Sequence, residues 1–141
     1  MLKALRFVLM ALVVVAGYFW WKPVVYWADA DSGRWNGIEF RLADVDAPET
    51  GHPNSAIGPA GCFEERELGI AAESWIKDYT TSNAPRPSGF ANFDRYNRAV
   101  IYMRAGGRDL AELGKELGYL RSWKWENGRP VEQRPEWCSV L

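Results

Sequence analysis

The feature that most constrains the fold is an uncharged run of fifteen residues near the start of the chain. It extends from Phe7 to Trp21 and follows the short basic segment Met1–Arg6. A basic start followed by an apolar run is typical of an export signal. We therefore separate residues 1–22, a signal peptide or N-terminal membrane anchor, from a body of residues 23–141. That body is long enough for one modest hydrophobic core.

Two interpretations of the N-terminal segment stay open. Val14-Val15-Ala16 is an acceptable small-residue cleavage site, whereas Tyr18–Trp21 resembles the aromatic belt of a retained anchor. Both place the body outside the cytoplasm, either periplasmic or extracellular or anchored in the membrane. An oxidising compartment permits a disulfide between Cys62 and Cys138, which are the chain's two cysteines. Such a bridge would stabilise the fold by about 4 kcal/mol.

Charge is unevenly distributed along the body. Residues 29–73 carry ten acidic and three basic side chains, and residues 74–141 carry eight acidic and eleven basic ones. The formal net charge of −1 argues against a protein that coats nucleic acid through bulk positive charge. An acidic first part and a basic second part suit a site that holds a metal ion on one side and phosphates on the other.

Hydrophobic periodicity predicts a mainly β body with packed helices, an α+β class. The predicted elements are strands at 24–28, 38–42 and 99–104, a helix around 68–79, and a second helix capped by Asp109 and ended by Gly118. Asn36-Gly37 predicts a tight turn. Thr80–Asn92, rich in Pro, Ser, Asn and Gly, is predicted to be a loop. The chain after residue 128 is expected to be irregular.

Three short segments carry residues that suit a metal-assisted reaction at phosphate. They are Asp29–Ser32, Arg41–Thr50 and Asp94–Arg98. Asp31 and Asp46 lie at the ends of neighbouring segments, so their carboxylates could meet at one hard cation. The carbonyl of Ala47, which precedes a proline, could supply a further oxygen ligand.

The same segments also offer a general base and two arginines with planar, cationic guanidinium groups. Glu49 is placed to orient or deprotonate a water molecule. Arg41 and Arg98 lie at strand ends, where a guanidinium can bind phosphate oxygens through two parallel hydrogen bonds. Together they would activate water and stabilise the charge that grows on the phosphorus oxygens. Taken singly, each residue also has an ordinary structural explanation in a turn or on a solvated face.

These segments resemble the motifs of the staphylococcal-nuclease-like (thermonuclease) family over about 24–125. The family pattern Asp-Gly-Asp-Thr corresponds to Asp29–Ser32, and Arg-Leu-x-x-Val-Asp-x-Pro-Glu corresponds to Arg41–Glu49 without a gap. Asp-x-Tyr-Gly-Arg corresponds to Asp94–Arg98. The resemblance implies a five-stranded OB-fold barrel with packed helices. Ala30 and Asn97 stand where the family has glycines.

The resemblance also implies roles for individual residues. Catalysis would fall to Arg41, Glu49 and Arg98. Calcium would be bound by Asp31, Asp46 and the carbonyl of Ala47. Substrate would contact Arg95 and Tyr96, and Trp123 and Trp125 would either stack on a base or pack in the core.

The sequence therefore predicts a monomeric, calcium-dependent nuclease that hydrolyses phosphodiester bonds of DNA or RNA, single strands favoured, with low sequence specificity. Membrane contact is expected if the N-terminal segment is uncleaved. Two alternatives stay open. One is a periplasmic or membrane-tethered nucleic-acid-binding OB module without significant catalysis. The other is an accessory protein that acts on a different phosphate-containing substrate.

Overall fold

Short strands and two helices form the part of the chain that the computed structural model describes, residues 24–56 and 58–138. The strands are β1 (Val25–Trp27), β2 (Ser32–Trp35), β3 (Ile38–Leu42), β4 (Val45–Asp46), β5 (Arg86–Phe93), β6 (Ala99–Ala105), β7 (Arg108–Asp109), β8 (Arg121–Ser122), β9 (Trp125–Glu126) and β10 (Arg129–Pro130). The helices are α1 (Phe63–Ser82) and α2 (Leu110–Glu116). The predicted signal or anchor, residues 1–22, lies outside the described residues. In the described ranges no helix has the length and apolar character needed to span a bilayer.

The main sheet has the strand order β1-β2-β3-β6-β5, with β7 pairing the end of β6. Strands β3 and β6 run parallel, and the other pairs in this sheet are antiparallel. The small pairs β4–β8 and β9–β10 lie outside it. Mainly β structure with two helices confirms the predicted class. The predicted closed barrel is not confirmed, because β1 and β5 do not pair within the described residues.

Alternation along β3 and β6 separates a core face from an outer face. Phe40 and Leu42 of β3 are buried, as are Ile101 and Met103 of β6, and these positions point to the same side of the pleat. Arg41 lies between the two buried β3 residues and therefore projects from the opposite face. The alternation of buried residues along β3 therefore determines the side of the sheet to which Arg41, a predicted site residue, points.

Both predicted helices are present, but α1 is longer than predicted at each end, starting at Phe63 and ending at Ser82, whereas α2 has the predicted boundaries. The apolar face of α1 packs Ala72 and Ile76 into the core. The Asp109 side chain caps α2 by accepting a hydrogen bond from the backbone N–H of Glu112 at 3.1 Å. Gly118 follows that helix with a φ of 78°, a conformation that glycine adopts without strain.

The prediction of a loop at Thr80–Asn92 is wrong. Helix α1 continues to Ser82, and β5 occupies Arg86–Phe93. Pro87 and Gly89 suggested a loop, but β5 lies at the end of the strand order and contains register shifts, where both residue types are tolerated. Composition alone does not distinguish such an edge strand from a loop.

The predicted turns are present. Asn36 and Gly37 join β2 to β3 with φ values of 49° and 84°. Asn97, which replaces a family glycine, has a φ of 62°, a conformation that asparagine tolerates. Ala30, the other replacement, is buried and does not have a positive φ. Neither substitution therefore disturbs the backbone near the predicted site.

Candidate active site

The carboxylates of Asp31 and Asp46 converge on the guanidinium of Arg41. Nη2 of Arg41 lies 2.8 Å from Oδ2 of Asp31 and 3.2 Å from Oδ1 of Asp46. The same nitrogen donates to the carbonyl of Val45 at 3.1 Å. Three residues predicted from separate strand ends thus meet on the outer face of β3.

Burial strengthens the electrostatic interactions between the charged side chains of this cluster. Asp31 is 3 % and Asp46 is 2 % exposed. Burial raises the pKa of Asp31 well above its ordinary value, and the nearby charge of Arg41 acts in the opposite direction. Burial also acts to lower the pKa of Arg41, but the charges of Asp31 and Asp46 outweigh it, so this pKa is raised. Two buried carboxylates require a cationic partner, because an unpaired buried charge is costly.

The donor set fits a hard divalent cation. Both carboxylates contact the same nitrogen of Arg41, and the backbone N–H of Ala47 donates to Oδ2 of Asp31 at 3.1 Å, which holds the residue with the predicted carbonyl ligand next to Asp31. Oxygen donors of this kind suit calcium. A different trio in the described ranges, Cys62, Glu65 and Cys138, also has converging ligand atoms. Its two sulfurs are bonded to each other, so they are not available as thiolate ligands.

Helix α1 fixes the backbone of Glu49 and leaves its carboxylate accessible. The backbone N–H of Glu49 donates to Oε1 of the buried Glu65 at 3.2 Å. A Cβ added at Gly69 would lie 2.6 Å from the carbonyl oxygen of Glu49 and 2.8 Å from that of Pro48. The Glu49 side chain is nonetheless 33 % exposed. A fixed backbone with a partly exposed carboxylate suits a general base.

Arg98 lies on the same face as Arg41 but does not share its carboxylates. Arg98 immediately precedes β6. In the parallel register Arg41 lies opposite Val100, so the residue two positions before Val100 faces the same side if the backbone stays extended. Nε of Arg98 donates to Oδ2 of Asp94 at 2.8 Å. Partial burial acts to raise the pKa of Asp94, but hydrogen bonds from the backbone and side chain of Arg98 lower it below its ordinary value. Asp94 therefore holds Arg98 in place as a charged partner.

Arg95 and Tyr96 form an exposed extension beside Arg98. Tyr96 is 62 % exposed, and its hydroxyl is 2.7 Å from Nη2 of Arg95. The guanidinium carbons of Arg95 and Arg98 lie 4.8 and 5.4 Å from the centre of its ring. An exposed ring flanked by two cations is chemically suited to a sugar or phosphate, but these contacts do not test the predicted role.

Trp123 reaches the site, and Trp125 lies behind it. The guanidinium carbon of Arg41 is 5.5 Å from the centre of the Trp123 ring. Trp125 contacts Trp123 edge-to-face at 4.8 Å. Asp44 holds both backbones, accepting from the N–H of Trp123 at 3.0 Å and from that of Trp125 at 3.3 Å. Trp123 is thus the one of the two that a ligand at Arg41 would meet.

Sequence reasoning missed two residues of the site, Arg134 and Trp137. Nε of Arg134 lies 3.3 and 3.2 Å from the two carboxylate oxygens of Asp46, and its Nη2 lies 2.8 Å from Oε1 of Glu49. Nε1 of Trp137 donates to Oδ2 of Asp46 at 2.9 Å. The disulfide was the available signal, because it draws the residues before Cys138 toward the start of α1.

The predicted disulfide between Cys62 and Cys138 is present, with the two Cα atoms 5.9 Å apart. Cys62 is also the N-cap of α1, where its sulfur accepts from the backbone N–H of Glu65 at 3.4 Å. The end of the described chain is therefore attached to the helix that holds Glu49. Only the bridge is confirmed among the predicted site features; the catalytic, metal and substrate roles stay predictions.

Comparison with known proteins gives one match. The family model described as staphylococcal nuclease homologue matches residues 39–127. A search of curated proteins finds no matching sequence. The matched region includes Arg41, Glu49 and Arg98, and ends before Arg134. It covers more than half of the chain and two of the three motifs, starting after Asp29–Ser32, and the resemblance to this family is confirmed. This chain belongs to the staphylococcal nuclease homologue family.

Proposed function

We propose that this chain is a calcium-dependent nuclease that hydrolyses phosphodiester bonds of DNA or RNA with little sequence preference. Members of its family are generally hydrolytic nucleases. The observation that carries the proposal is the convergence of two buried carboxylates on Arg41, at the start of the segment that ends in Glu49. A structural ion pair between Arg41 and these carboxylates would not by itself require Glu49 to be fixed at its backbone with a partly exposed side chain.

Calcium would be held by Asp31, Asp46 and the carbonyl of Ala47, and would supply positive charge next to the scissile phosphate. Glu49 takes the proton of the attacking water. The water oxygen then bonds to phosphorus while the bond to one ester oxygen breaks. Arg41 and Arg98 stabilise the charge that builds on the non-bridging oxygens. The ester oxygen that leaves is protonated from solvent.

Single strands are the proposed substrate. The exposed ring of Tyr96 and the Trp123 ring beside Arg41 favour unstacked bases, which can present their faces to aromatic side chains. The net charge of −1 makes tight binding of long duplexes unfavourable. We also propose that the sheet is of the OB type, since five strands form its continuous path.

We further propose that the body acts as a monomer outside the cytoplasm. The disulfide supports this location, because such bridges persist in oxidising compartments. Residues 1–22 would deliver the chain there and, if uncleaved, hold it at the membrane.

The decisive experiment measures hydrolysis rate and affinity on the same proteins. The full chain in detergent should degrade single-stranded DNA or RNA with calcium and stop in excess chelator. Arg98→Lys keeps the positive charge but loses the guanidinium that can make two parallel hydrogen bonds. The hydrolysis rate should therefore fall about a hundredfold or more, while affinity for nucleic acid changes far less. Glu49→Gln should behave similarly, since it removes the base but not the carboxylates of Asp31 and Asp46. Arg108→Lys, in β7 beside the other end of β6, is the matched control.

A binding module predicts the reverse pattern. The parent protein would bind nucleic acid without hydrolysing it, and substitution of Arg98 would weaken affinity alone. Parent-level turnover in Arg98→Lys would refute its catalytic role. Undiminished turnover in excess chelator would refute the metal.

A further inference from the structure

The last described residues form a strap that is attached at both ends; we use this name for residues 131–138. At one end, Oε1 of Glu132 accepts from Oγ of Ser122 at 3.0 Å and from the backbone N–H of Lys124 at 2.6 Å. At the other end, Cys138 is bonded to Cys62. Residues between these two attachments are held over the site.

Arg134 and Trp137 lie between the attachments. Trp137 is 8 % exposed and lies under the guanidinium of Arg121, whose carbon is 4.3 Å from the ring centre. Its Nε1 and the Nε of Arg134 both bind Asp46. Arg134 also binds Glu49 through Nη2. The strap therefore brings a cation to the residues predicted to bind calcium and to serve as the base.

This arrangement conflicts with metal binding. Both oxygens of the buried Asp46 are engaged by Arg134, and calcium needs their lone pairs at about 2.3–2.6 Å. Asp46 is fixed, whereas Arg134 is 47 % exposed at its side chain and can turn into water. The guanidinium is thus the partner that must move.

We propose that Arg134 is a tethered cation that competes with the divalent metal for Asp46 and Glu49. In the metal-free protein it pairs with Asp46, beside Arg41, and with Glu49, and metal binding displaces it. This inference rests on the proposed function, because it takes Asp46 as a metal ligand. The bridge to Cys138 keeps the effective concentration of Arg134 high, so opening the bridge weakens the competition.

Calcium titration of the full chain in detergent by isothermal calorimetry tests the competition directly, without reference to activity. Arg134→Gln should bind calcium more tightly than the parent, by up to about fivefold, the factor expected for losing one partly exposed ion pair. Arg134→Lys keeps a competing charge and should stay closer to the parent. Arg108→Gln removes an equal charge from the Arg108–Glu116 pair and should leave calcium affinity unchanged.

A second measurement needs no substitution at the site. Reducing the Cys62–Cys138 bridge of the parent with dithiothreitol should raise calcium affinity, as Arg134→Gln does. Reducing the Arg134→Gln protein should raise its calcium affinity little further. This double comparison separates release of the strap from a general effect of reduction.

The outcomes distinguish the two proposals. Calcium binding that is unchanged or weaker in Arg134→Gln, and unchanged on reduction of the parent, would overturn the competition while leaving the nuclease proposal intact. Absence of calcium binding in every protein would overturn both the competition and the calcium dependence. A loss of single-strand affinity in Arg134→Gln without tighter calcium binding would assign Arg134 to the substrate instead.

Discussion

Gly69→Ala adds one methyl group to α1 and should impair catalysis indirectly, by displacing the backbone of Pro48 and Glu49. The new Cβ would lie 2.6 Å from the carbonyl oxygen of Glu49 and 2.8 Å from that of Pro48, whereas ordinary contacts begin near 3.4 Å. Because both obstacles are backbone atoms, a rotamer change cannot relieve the overlap. The segment carrying Glu49 must therefore move away from α1 by about 0.8 Å.

The magnitude follows from that displacement. A misplacement of about 1 Å in a catalytic group can cost on the order of a hundredfold in rate, so Gly69→Ala should lower kcat by roughly ten- to a hundredfold. Overpacking costs about 1–3 kcal/mol, and the gain in helix propensity returns about 1 kcal/mol, so the protein should stay folded. Affinity for single-stranded substrate should change little, since Arg95 and Tyr96 are not displaced.

Gly114→Ala is the matched control. It is also a helical glycine, and its Cβ would lie 2.5 Å from the side chain of Leu120 in the core. It should reduce the melting temperature to a similar extent while preserving kcat. Parent-level kcat in folded Gly69→Ala, or an equal loss of kcat in Gly114→Ala, would refute the claim that α1 positions Glu49.

Two other predictions concern stability. Protein from an oxidising compartment should contain no free thiol, and reduction of Cys62–Cys138 should lower the free energy of unfolding by about 4 kcal/mol, seen as a lower melting temperature; two titratable thiols in the native protein would contradict this. Because the pKa of Asp94 is lowered by folding, its contribution is complete above the unfolded pKa near ~4 and is lost as pH falls through the folded value. Parent and Asp94→Asn should therefore differ most in chemical-denaturation midpoint at about pH 6, and the difference should shrink as pH falls below the ordinary pKa of about 4; a constant difference across that range would exclude Asp94 as the source.

Local signals in the sequence predicted local structure well. The cap at Asp109, the turn at Asn36-Gly37 and the face of α1 each depend on residues within a few positions, so pattern and propensity suffice. The strand β5 was missed because its proline and glycine are tolerated at its edge position, next to register shifts. That position is set by pairing with β6, which no local pattern encodes.

The site divides in the same way. Asp31, Arg41 and Asp46 lie at or next to strand ends and carry motif spacing, so their convergence could be predicted. Arg134 and Trp137 are 88 and 91 residues from Asp46 in sequence, and no periodicity connects them to it. Only the cysteine pair linked the two regions, and it specified neither which side chain would point inward nor what it would contact.

The parallel pairing of β3 with β6 determines where this chain can tolerate insertions and deletions. Arg41 and Arg98 share a face only because Val100 lies opposite Arg41. One residue added between Arg98 and Val100 would leave the buried side chains of β6 in register and send the guanidinium of Arg98 to the other side of the pleat. A residue added at 83–85, which only joins α1 to β5, changes neither face. Length variation should therefore be accepted in that connection and rejected in the turn before β6.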